Sequence, residues 1–122
     1  MKVFNFLAVC AGGALGASVR YGLELLGAHL FSWSNVLSIA LVNILGCFLF
    51  ALLSSWLKEQ WSVAFTLFVF TGFLGGMTTF SSFIAHSHML ISMKQLVWAA
   101  VNISAQVFLG LLAFYVTQKL LA

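Results

Sequence analysis

Apolar residues run along this chain in four blocks, and the polar residues gather in the short gaps between them. The blocks are too long and too continuous for half-buried strands, where polar and apolar positions alternate. They predict membrane-spanning helices over about Phe4–Leu26, Ser34–Leu57, Val63–His88 and Leu96–Leu121. A helix needs roughly 20 apolar residues to cross a bilayer, and each block supplies them. The gaps Gly27–Trp33, Lys58–Ser62 and Met89–Gln95 are short enough to force sequential helices to run antiparallel. The expected fold is therefore all-α, a single four-helix transmembrane domain over residues 1–122. The opening MKVFNFLAVCAGGALGA has the outline of a signal peptide. Cleavage there would leave three spans and discard a glycine-rich face, so it is taken as the first span.

Composition removes the soluble alternatives. Of 122 residues, 63% are hydrophobic and 6% charged, with no proline, where a soluble domain carries about 25% charged residues. Lys2, Arg20, Lys58, Lys94 and Lys119 are scattered along the chain and make no patch for a nucleic acid. An even number of spans places Lys2, Lys58 and Lys119 on one side and Arg20 and Lys94 on the other. That weak bias leads us to expect insertion in both orientations. Cys10 and Cys47 lie inside apolar blocks and read as small hydrophobes.

The third block is unusual. From Thr71 to Phe83 it crowds glycines, hydroxyls and phenylalanines into the middle of a span. Glycine and threonine are weak helix formers, so a break in the helix is expected here. Broken backbone is tolerated at membrane depth only where it is buried in protein or lines a polar cavity. Gly72 and Gly76 also have the spacing of a close helix contact, as do Gly12 and Gly16 in the first block, beside Gly13 and Ala17. Arg20 is expected near the end of the first span, at the interface or facing a wet cavity.

Asn43 stands in the middle of the second block, and Asn102 and Gln106, four apart, share a face of the fourth. Amides and hydroxyls donate hydrogen bonds, and the edge of a phenyl ring is electropositive. Asn43, Thr79, Ser82, Asn102 and Gln106, with the ring edges of Phe80 and Phe83, therefore suit a small anion that must shed its water. The only carboxylates, Glu24 and Glu59, fall at span ends. Without one in the core, a cation path or a proton relay is hard to build, which favours a passive channel over a pump. His86 and His88, two apart on a helix, do not face one another and make a poor shared metal site. No nucleophile–base–acid set, phosphate loop or cofactor fingerprint is present, so no enzyme is expected.

Three stretches carry a family likeness: Gly12-Gly13-x-x-Gly16-Ala17-x-x-Arg20-Tyr21, then Val42-Asn43-x-x-Gly46, then Thr71-Gly72-Phe73-x-Gly75-Gly76-x-Thr78-Thr79-Phe80-Ser81-x-Phe83. In order and span count the whole chain resembles the Fluc-type fluoride channels of the CrcB family. The resemblance implies an antiparallel, dual-topology homodimer with two fluoride pores in a prokaryotic inner membrane, releasing cytoplasmic fluoride down its gradient. A heterodimer with a paralogue is the alternative assembly. It also implies pore roles for Asn43, Phe80 and Phe83, a vestibule role for Arg20, and a central structural sodium ion held by backbone carbonyls mapping onto Gly75 and Thr78. Two positions depart from the family pattern: His86 where a carboxylate is frequent, and Gln106 where a serine is common. The competing reading is a small dual-topology four-helix drug or cation exporter, whose first span would need a glutamate near Ala14 and Leu15.

Overall fold

The computed structural model describes residues 1–56 and 61–121; the expectations placed on Leu57, Lys58 and Glu59 lie outside these residues. Among the described residues every regular element is helical: α1 (Lys2–Phe31), α2 (Asn35–Trp56), α3 (63–77), α4 (Phe80–Ser92) and α5 (Leu96–Leu121). Four helical stretches are long and apolar enough to cross a membrane, with α3 and α4 together forming the third. The protein is thus a multi-pass membrane protein.

α1 is longer than expected. Gly27 does not end it, because that glycine is there for packing: a Cβ would lie 2.7 Å from the Trp33 ring and 3.1 Å from Ser38 Oγ. The helix stops at Ser32, whose φ of 53° turns the chain left-handed, while the Trp33 N–H closes onto the Gly27 carbonyl at 3.1 Å. Arg20 consequently lies eleven residues before the end of α1, about 16 Å along the axis. Arg20 thus stands well inside the helix and not near its end, whereas Lys94 lies in a turn. Glu24 likewise lies inside α1. The third span also runs past His88, to Ser92.

α3 begins behind a serine cap, with Ser62 Oγ accepting from the Phe65 N–H at 3.3 Å. It widens to a π-helix over Leu67–Leu74 and narrows again for Gly75–Met77. Thr78 and Thr79 are then extended, with ψ of 151° and 110°, before α4 begins at Phe80. The break expected from the glycines and threonines is present, two residues after the last glycine.

The glycines themselves are packed. α1 lies along α3 with backbone against backbone, so that Cβ atoms at Gly12 and Gly16 would strike the carbonyls of Phe68 and Phe73. From the other side, a Cβ at Gly76 would lie 2.6 Å from the Gly13 carbonyl oxygen. α2 rests mainly on α5, which also carries α4. Between the two pairs Val42, Leu74 and Met77 form the buried core. Gly76→Ala should therefore force α1 away from α3, at about 1–3 kcal/mol for overpacking. Gly22, with open space around it, should accept alanine without loss. Thermal unfolding of the two variants in detergent checks the contrast.

Candidate functional site

Ending a helix inside a membrane strands backbone groups that water cannot reach. At the break, Asn43 of α2 pairs with both backbone groups of one residue, Thr79. Its Oδ1 accepts from the Thr79 N–H at 2.8 Å, and its Nδ2 donates to the Thr79 carbonyl at 3.2 Å. The Thr79 hydroxyl caps α4, accepting from the Ser82 N–H at 3.3 Å and donating to Ser82 Oγ at 3.1 Å. The short polar side chains that weaken helices in isolation here replace the bonds that the break removes.

These replacements free two carbonyls. In a continuous helix the Thr79 and Ser82 N–H groups would bond the carbonyls of Gly75 and Thr78, four residues back. Both are engaged by side chains instead. The neighbouring Gly76 carbonyl accepts from Arg20 Nε at 3.4 Å, and Arg20 Nη1 lies 3.8 Å from Glu24 Oε1. Arg20 thus lies beside the C-terminal end of α3, where a helix is partially negative.

From Asn43 a chain of side chains crosses to α5 and on to α4. Asn43 Nδ2 donates to Gln106 Oε1 at 2.7 Å, Gln106 Nε2 to Asn102 Oδ1 at 2.9 Å, and Asn102 Nδ2 to Ser87 Oγ at 3.0 Å. Ser87 Oγ donates to the Phe83 carbonyl at 2.8 Å. Both donor hydrogens of Asn43 are therefore engaged within the protein.

A groove of about 440 Å³ opens beside this chain, and Asn43, Thr79, Phe80, Phe83 and Gln106 all line it. Phe80 and Phe83 meet with ring centroids 5.6 Å apart and planes tilted by 46°. Phe83 is buried, whereas Phe80 is 75% exposed. Farther along, Phe50 packs between Phe70 and Phe114, which complete the wall.

The structure brings five of the seven expected path residues to one groove. Ser82 touches it only through the Thr79 hydroxyl, and Asn102 lies buried behind Gln106. Arg20 does not line it. His86 is half-buried, its Nδ1 sealed from solvent without a partner, and His88 is exposed. Sequence reasoning missed Ser87, although residues 80, 83 and 87 fall on one helical stripe. It also missed the wall formed by Phe50, Phe70 and Phe114, for which no local signal exists.

By its sequence the chain has relatives among known proteins. The family model described as "CrcB-like protein, Camphor Resistance (CrcB)" matches residues 7–118. The chain is 33% identical over 122 positions to a protein of Shewanella amazonensis named "Fluoride-specific ion channel FluC", covering 96% of this chain and 95% of that one. It is 34% identical over 108 positions to a protein of the same name from Maridesulfovibrio salexigens, covering 87% and 86%. A third of that name, from Legionella pneumophila, is 43% identical over 71% of this chain and 66% of its own length.

Proposed function

The chain belongs to the CrcB family, and from that footing we propose that it is a fluoride-specific ion channel, a transporter and not an enzyme. The observation that carries this reading is the groove at the mid-span break, where amide groups and two phenylalanine rings meet. Fluoride is small and strongly hydrated, so a path must offer good donors at close range to replace its water. Gln106 Nε2, which lines the groove, keeps a hydrogen beyond the bond it makes here, and the rings of Phe80 and Phe83 present positive edges. α2, α3, α4 and α5 carry no carboxylate among the described residues, so no fixed negative charge on them repels an anion and the carboxylate relays of proton-coupled carriers are missing there. Transport is then passive, down the electrochemical gradient, and in a prokaryotic inner membrane it would clear fluoride from the cytoplasm.

The proposal extends to assembly. In a single chain the groove is open along one side and Phe80 is largely uncovered. A second, antiparallel copy would close it, giving two pores per homodimer; pairing with a paralogue is the other route to the same closure. Family membership and the open groove support this assembly. The weak charge bias along the sequence, three basic residues against two, is consistent with it.

The proposal also includes a structural sodium ion on the dimer axis. The carbonyls of Gly75 and Thr78, released from helical bonding by Asn43 and by the Thr79 hydroxyl, are hard oxygen donors and would hold it. Its charge would favour an anion nearby.

The test is fluoride efflux from liposomes reconstituted with purified protein. Fluoride should leave at a rate set by protein content and chloride should stay; retained fluoride refutes the channel. In the same vesicles, replacing sodium by a large organic cation on both faces should slow efflux. Cysteines placed singly in the turns at residues 32–34 and 93–95 should be labelled from both sides of the membrane. Labelling from one side alone would sink dual topology. The exporter reading needs a glutamate near Ala14 and Leu15, where the chain has none; the carboxylate α1 does carry, Glu24, lies nine residues farther on beside Arg20.

A further inference from the structure

We propose that Ser87 is a positioning residue that sets the orientation of the amides facing the groove, acting through Asn102 and Gln106. A hydroxyl has one hydrogen. At Ser87 it is committed to the Phe83 carbonyl, 2.8 Å away, a group that can only accept. The Ser87 oxygen can then only accept from α5, which requires Asn102 to present its NH2, at 3.0 Å. That choice turns Asn102 Oδ1 toward Gln106, whose Nε2 meets it at 2.9 Å. Gln106 in turn presents Oε1 to Asn43 Nδ2, and Asn43 presents Oδ1 to the Thr79 N–H. The chain starts on a carbonyl, which can only accept, and ends on an N–H, which can only donate, so it is consistent in one direction alone.

Ser87 and Asn102 are 5% and 6% exposed, so water does not compete for these bonds. Remove the hydroxyl and the chain loses one of its two fixed ends: the Asn102 NH2 has no acceptor, and its orientation rests on Gln106 alone. Reversed, it would set an NH2 against the NH2 of Gln106. Gln106, which lines the groove, would then be free to rotate and release Asn43. Ser87 itself does not line the groove.

The inference deepens the channel reading, and its test has one arm that does not depend on it. In protein with ¹⁵N-labelled asparagine and glutamine side chains, Ser87→Ala should shift the side-chain amide signals of Gln106 and Asn43, two and three links away. Unmoved signals refute the relay whatever the protein transports. In the flux arm, Ser87→Ala should lower fluoride efflux per folded protein by about five- to tenfold, the effect of one lost buried hydrogen bond. A merely structural Ser87 would cost the same in any background. A positioning Ser87 should cost nothing further once Asn102→Leu has cut the chain, so an equal loss in the Asn102→Leu background overturns the proposal. If Ser87→Ala does not yield folded protein, Asn102→Leu alone should move the same Gln106 and Asn43 signals, and their staying in place refutes it. Shifted signals in a protein that moves no fluoride would leave the relay standing and sink the channel.

Discussion

Asn43→Asp is expected to abolish fluoride efflux, a loss of at least about a hundredfold, while the four spans still insert. The amide donates to the Thr79 carbonyl and to Gln106 Oε1, and accepts from the Thr79 N–H. A carboxylate keeps the last of these bonds and loses both donations. Its second oxygen then faces two acceptors at hydrogen-bond distance, and each buried polar group left unpaired costs about 1–3 kcal/mol. Two such losses reach the hundredfold mark at about 1.4 kcal/mol per factor of ten. The negative charge adds to this, because it sits in a poorly hydrated groove proposed to carry an anion. A protonated carboxyl would recover one donor of the two, and part of the flux with it. Efflux measured with a fluoride electrode and divided by folded protein is the check. Flux near that of the unaltered protein would show that the clamp on Thr79 is not needed for conduction.

The second large effect is expected at the two phenylalanines. Isoleucine keeps apolar bulk and removes the electropositive ring edge, so Phe80→Ile and Phe83→Ile should each cut fluoride efflux by about two- to tenfold, the 0.5–1.5 kcal/mol of one aromatic contact. The structure separates their effects on stability. Phe80 is 75% exposed in the single chain, so Phe80→Ile should leave the fold of each chain nearly unaffected and change stability only through the second copy proposed to cover it. Phe83 is 9% exposed, and its replacement should also destabilise, by about 1 kcal/mol or somewhat more for the lost buried volume. Near-normal flux in both variants, with or without a change in stability, would remove the rings from the path.

The reading of the third span shows how far local pattern reaches. Gly72, Gly76 and the threonines announced both a close helix contact and a break, and the structure contains both, at separate places: glycine against α1, threonine at the break. The hydroxyls, read as pore donors, turn out to serve first as caps, with the Thr79 side chain holding the start of α4. Arg20 is expected near a span end because the first apolar block closes at Leu26, before the gap that Gly27 opens. That glycine instead admits the Trp33 ring, a contact no local rule contains.

The sequence alone determined that this is a four-span helical membrane protein with an interrupted third span and no carboxylate in its later spans. Those properties follow from bilayer thickness, helix propensity and residue type, all of which act within a few residues of chain. It also determined the family, because the motifs that carry the likeness are contiguous. Only the tertiary structure decided what each polar group does. Asn43 bonds residues 36 and 63 positions away, and Asn102 reaches Ser87 across 15. An amide is the same residue whether it faces a pore or organises one, and only the positions of its neighbours in space decide which of its hydrogens remain free.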